Sequence, residues 1–167
     1  IGIQKSGLNK NLDLDSCYWS NDLKNIFKNN FIQLGVSDSQ ISAKKSKLDQ
    51  TNLDSNILTV GKIAEIGLNA ATDLALKKVL NNSDRLYISF DISCISGSKS
   101  SESLLPRELL YLLNQIIKKA PICGLEVVGV SPPNEIGNIE AMMATRIIYE
   151  TISNLINAQQ LPRRISH

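Results

Sequence analysis

The sequence predicts a three-layer α/β/α domain with a mostly parallel sheet, and three observations predict it. Strand-like and helix-like segments alternate along the chain, the strand segments are nearly continuous apolar runs, and the helical segments repeat apolar residues at helical period. Taken in order, residues 22–29 place Leu23, Ile26 and Phe27 at helical spacing, and residues 31–36 read as a strand bounded by Ser37-Asp38-Ser39. Residues 37–56 hold many Ser, Lys, Asp and Asn, which predicts a surface loop, with a short strand at 57–60. Residues 61–80 repeat Ile63, Ile66, Leu68, Ala71, Leu74, Ala75 and Val79 as one helix.

The second half continues the alternation. Leu86-Tyr87-Ile88-Ser89-Phe90-Asp91 reads as a buried central strand that ends in a carboxylate. Residues 106–120 form a helix, with Pro106 in the first turn, where its missing N–H is harmless, and Lys118 and Lys119 at the negative end of the dipole. Residues 125–130 read as a second buried strand, stopped by Ser131-Pro132-Pro133 because proline cannot donate to the ladder. A last helix covers residues 138–157, where Ile139, Met142, Met143, Ile147, Ile148, Ile152, Leu155 and Ile156 recur at helical period and the methionines serve as packing residues. In sheets of this kind the functional crevice lies at the carboxyl ends of the strands, which directs attention to Asp91 and to the residues after Val130.

Composition narrows the function. With 167 residues, 43% hydrophobic and 20% charged, residues 1–167 make one domain whose core needs no disulfide or structural metal. The net charge of +2 is spread along the chain without a basic block, so no nucleic-acid footprint is expected. Apolar runs such as residues 109–113 are far shorter than the roughly 20 residues that span a bilayer, and no membrane insertion is expected. Cys17, Cys94 and Cys123 are odd in number and widely spaced, which reads as free buried thiols in a reducing, intracellular space: cytoplasm, with a mitochondrial or plastid compartment also compatible. The one histidine is His167, so the body of the domain has no imidazole to act as a base or transition-metal ligand, and Cys94 has no histidine to activate it. No G-x-x-x-x-G-K loop is present.

Four motifs carry a family resemblance: Phe90-Asp91-Ile92-Ser93, Leu105-Pro106-Arg107-Glu108, Val127-Val128-Gly129-Val130-Ser131-Pro132-Pro133, and the Ala-containing helix with Arg146 and Tyr149. In order and spacing they resemble the C-terminal half of the ureohydrolases, the arginase and agmatinase family. Residues 61–80 resemble the family's helix before the central strand, Phe31-Ile32-Gln33-Leu34-Gly35-Val36 its Gln-x-Gly-Ile strand, and Asn9-Lys10-Asn11-Leu12-Asp13 its Asp-Ala-His-x-Asp motif. The family's N-terminal portion, with its first metal-binding histidine, has no counterpart.

The resemblance implies an arginase-like fold and, in active members, two manganese-type ions sharing a hydroxide that attacks a guanidinium carbon. Paired ions acidify and orient that water, so the charge of each ligand matters. Position by position, Asp13 and Asp91 keep residual family ligand positions, while ligands are lost at Asn9, Asn11 and Ser93. The family's substrate-binding His-Gly falls at Asn21-Asp22, and the Glu that receives the guanidinium falls at Gly129. Neutral amides and a hydroxyl do not replace carboxylates and imidazoles around four positive charges. The expectation is an inactive arginase/agmatinase-like protein without a cofactor, serving as a structural or regulatory subunit of a homo- or hetero-oligomer. The alternative is an active hydrolase of guanidinium or amidine substrates, with manganese or nickel at Asp13 and Asp91; a third is a small-molecule binding module lined by Asp91, Ser93 and Ser131. Plain structural roles stand beside these: Asp91 as a turn or helix cap, Arg107 and Glu108 as surface or inter-helix ion pairs, and Arg146 and Tyr149 as structural hydrogen-bonding groups.

Overall fold

The computed structural model describes residues 30–39, 56–81, 83–92, 95, 103–130 and 139–161. In chain order its elements are β1 (Gln33–Val36), β2 (Ile57–Thr59), α1 (Val60–Ile66), α2 (Leu68–Val79), β3 (Leu86–Asp91), α3 (Pro106–Lys119), β4 (Ile122–Val128) and α4 (Ile139–Asn157). The helix expected at residues 22–29 lies outside the described residues, as does most of the polar stretch at 37–56.

Both strand pairs are parallel, β1 with β2 and β3 with β4, as the alternating pattern requires. β3, α3 and β4 form a β-α-β unit in which Ile88 lies beside Leu125, Phe90 beside Val127 and Asp91 beside Val128. Side chains alternate across a strand, so Ile88, Phe90 and Ile92 share one face and are buried, whereas Tyr87 on the other face is 62% exposed. Phe90 and Ile92 join Ile63 of α1, Ala71 and Ala75 of α2, and Leu113 and Ile117 of α3 in one apolar cluster. Burying a side chain the size of Phe90 contributes about 1.5–3 kcal/mol. Ile95 and Leu104 form an isolated parallel bridge, and both are buried. The Leu104 side chain lies against Gly35 of β1, where an added Cβ would come within 2.8 Å of it. This contact ties the β1–β2 pair to the β3–β4 unit.

The expected single helix at 61–80 is two helices. Gly67 has φ 84° and ψ 156°, a conformation that only glycine adopts without strain. Its N–H closes α1 on the Ile63 carbonyl at 2.9 Å, and its own carbonyl accepts from Ala71 at 3.0 Å to open α2. Apolar periodicity carries across the break because both helices pack on the same core.

The second strand also differs from expectation. It begins at Ile122, ends at Val128 and is only half-buried, with Val128 exposed. Gly129, at φ 82°, ends it before the prolines do. Its start is fixed by the Gln160 side chain, whose Oε1 accepts from the Ile122 N–H at 2.8 Å. The Gln160 amide then donates to the carbonyls of Ile117 at 2.6 Å and Ala120 at 2.9 Å. One side chain thus satisfies carbonyls that the end of α3 leaves open and the first donor of β4.

Two packing expectations are corrected. Cys123 is a free thiol but exposed, because alternation along half-buried β4 turns it outward; its Sγ donates to the Leu86 carbonyl at 3.1 Å. Met142 is exposed too, since α4 buries the stripe of Ala144, Ile147, Thr151 and Asn154 against α3, and Met142 points elsewhere. Among the described residues no helix is long and apolar enough to cross a membrane.

Candidate functional site

The carboxyl ends of the strands carry polar groups with distinct local tasks. After β1, Asp38 accepts from the Gly61 N–H at 2.9 Å, and at the end of β2 the Thr59 hydroxyl accepts from the Lys62 N–H at 3.0 Å. Together they cap α1, whose first-turn N–H groups have no partner inside the helix. Sequence reading took Asp38 only as a strand boundary; a short acceptor side chain between a strand and a later helix was the available signal.

Asp91 ends β3 and is 5% exposed, which matches its expected place at the mouth of the central strand. Ladder pairing with Val128 sets Gly129 just beyond it on the neighbouring strand. A Cβ built on Gly129 would overlap the Asp91 Oδ1, and would stand 3.4 Å from the Asp91 Cγ and 3.6 Å from the Ile92 nitrogen. The Asp91 carboxylate therefore fills the direction in which any side chain at 129 would leave the backbone. The positive φ of Gly129 reinforces this, because side chains are strained there even in open space.

Of the sequence-predicted positions, Asp91 and Gly129 are thus brought together. Asn9, Asn11, Asp13, Asn21 and Ser93 lie outside the described residues, as do Cys94 and Ser131. Among the described residues no three His, Cys, Asp or Glu side chains lie close enough to share an ion. Among the described residues Glu108 takes no cation: its carboxylate reaches back to the Leu105 N–H at 2.9 Å and caps α3. Arg146 pairs with Glu150 one turn further along α4, at 2.6 Å, and Tyr149 is exposed, so Arg146 takes the structural reading.

Parallel strand pairs joined by helices that pack on one apolar core make an α/β fold of the arginase kind. The Arginase family model matches residues 16–153, and the chain belongs to that family. Among solved structures it is similar to the proclavaminate amidino hydrolase of Streptomyces clavuligerus, with 25% identity, a TM-score of 0.63, and coverage of 84% of this chain and 47% of that one. A hypothetical agmatinase from Burkholderia thailandensis superposes with a TM-score of 0.66 at 18% identity, over 84% of this chain and 44% of that one. The formimidoylglutamase of Bacillus subtilis gives 0.61 at 22% identity, over 87% of this chain and 46% of that one. The chain spans a little under half the length of these relatives.

Proposed function

We propose that this chain is a catalytically inactive member of the Arginase family that serves as a structural or regulatory subunit of an oligomer. The observation that carries the reading is the Asp91–Gly129 contact. The family resemblance puts a guanidinium-receiving Glu at position 129, and here the residue is glycine with the neighbouring carboxylate in its side-chain space.

The donor set points the same way. Around the family's ion positions the sequence offers Asp13 and Asp91 beside Asn9, Asn11 and Ser93. Two carboxylates with amides and a hydroxyl do not fit a pair of divalent ions, whose affinity depends on charged or imidazole ligands.

Elemental analysis of the dialysed protein, beside release of urea from agmatine or arginine, tests the reading. Expected are well under about one manganese or nickel ion per chain and no urea above the buffer rate. Two ions per chain with turnover would overturn it in favour of an active hydrolase.

A further inference from the structure

Cations that the sequence spreads along the chain are gathered by the fold. Tyr111 of α3 donates to Asn69 of α2 at 2.9 Å, and Lys119 pairs with Asp73 at 2.7 Å, so the two helices run in the same direction and end at one edge of the sheet. Their last turns carry Lys77 and Lys78 on α2, and Lys118 and Lys119 on α3. β3 begins at that edge, where the Leu86 N–H donates to the Pro121 carbonyl at 2.8 Å and sets Arg85 beside the end of α3. Lys78 is half-buried and the other four cations are exposed. The carboxylates on these same segments are Asp73 and Asp84. Lysines at helix ends also complement the dipole, which brings roughly half a negative charge per helix. Two helix ends and two carboxylates together offset about three of the five cations, and a surplus of about two remains. The opposite edge has the reverse balance, with Asp38, Asp91, Glu108 and Glu140 beside Lys62 and Arg107.

Resting on the subunit reading above, we propose that this basic edge docks an acidic segment of a partner polypeptide. The surplus charge selects an anionic partner. What stands among the lysines selects a polypeptide over a phosphate backbone. Asp73 and Asp84 lie between the cations, and a strand with a negative charge at every unit would meet them wherever it crossed the edge. An acidic polypeptide carries amides and apolar side chains between its carboxylates, so it can set uncharged groups against those two positions. Apolar surface lies alongside to receive them. Leu74, 50% exposed, stands one turn before Lys77 and Lys78 on α2, and Tyr111, 40% exposed, stands two turns before Lys118 on the same face of α3.

Binding of the full chain to dye-labelled poly-L-glutamate, followed by fluorescence anisotropy, tests this with two triple variants of equal charge change. K77Q/R85Q/K118Q neutralises the edge without touching the Lys119–Asp73 pair, and K62Q/R107Q/R146Q is the control. All six positions are exposed, so far-UV circular dichroism should stay unchanged in both. The edge variant is expected to weaken binding about tenfold and the control less than about twofold, because exposed charge pairs contribute modestly one by one and together where they converge. Affinity should also fall as salt is added. Absence of binding at low salt, or equal losses in the two variants, would overturn the proposal. A DNA duplex or phosphatidylserine vesicles bound more tightly than poly-L-glutamate, and released by the edge variant, would overturn the choice of a polypeptide. Any of these failures leaves the subunit reading intact, since metal content and urea release judge it separately.

Discussion

The Asp91 carboxylate occupies the space in which a side chain at Gly129 would begin. Two penalties therefore fall on any substitution there: the left-handed backbone, φ 82°, and overlap with a buried carboxylate that has little room to move. For G129A we expect a loss of about 2–4 kcal/mol in urea unfolding, the sum of backbone strain and overpacking. D91A/G129A removes the overlap and keeps the strain, so a double-mutant cycle should return a coupling of about 1–2 kcal/mol. Strict additivity would mean that the two residues do not share that space.

Gly67 supplies the control for that experiment. Its φ of 84° resembles that of Gly129, but nothing lies within 4 Å of an added Cβ. G67A should therefore cost about 1–3 kcal/mol through backbone strain alone. If G67A matches G129A in a common denaturation series, overlap with Asp91 contributes nothing at position 129.

The Gln160 amide predicts a sharper chemical distinction. Q160A removes three hydrogen bonds and leaves part-buried carbonyls at the end of α3, at an expected cost of about 2–3 kcal/mol. Q160E keeps the acceptor for the Ile122 N–H but turns the donor into a second oxygen facing the Ile117 and Ala120 carbonyls. It should destabilise at least as much as Q160A at neutral pH. Hydrogen exchange at the Ile122 amide should quicken in Q160A and stay slow in Q160E, and equal exchange in both would argue against the clamp.

Local signals explain which parts of this fold were legible in the sequence. α3 was read almost to the residue because Pro106, an apolar stripe and terminal lysines all agree there. The parallel sheet and β3 were legible too, since Leu86 to Asp91 combines β-formers with a following helix. The split at Gly67 was not, because the apolar period runs through it and φ leaves no mark on composition. The exposure of Val128 on β4 and of Met142 on α4 was equally hidden, as a sequence records that a residue is apolar and not whether anything covers it. Asp91 was legible as the carboxylate that ends β3, whereas its contact with Gly129 depends on strand register and on a positive φ. The clamp by Gln160 joins residues about forty positions apart, beyond any local pattern.

Tyr87 gives the chain a titration that can be read directly. On β3 its ring lies over Gly124, where a Cβ would come within 2.8 Å, and its hydroxyl reaches the Glu126 side chain on β4. Lost hydration, then the Glu126 charge and hydrogen bond, hold the phenol above its ordinary value of 10.0. The neutral phenol is the favoured form, so the native state resists deprotonation more than the unfolded chain does. The associated stability is fully present below the ordinary phenol value and is lost as pH rises through the higher native one. E126Q removes the charge and should move the Tyr87 transition, followed by phenolate absorbance against a Y87F reference, back toward the ordinary value. G124A should act differently: it pushes the ring off β4 and opens the hydroxyl to water, lowering the transition and loosening the β3–β4 pair together. A Tyr87 transition unmoved by E126Q would exclude the cross-strand carboxylate as a cause and leave lost hydration and the neighbouring Cys123 thiol.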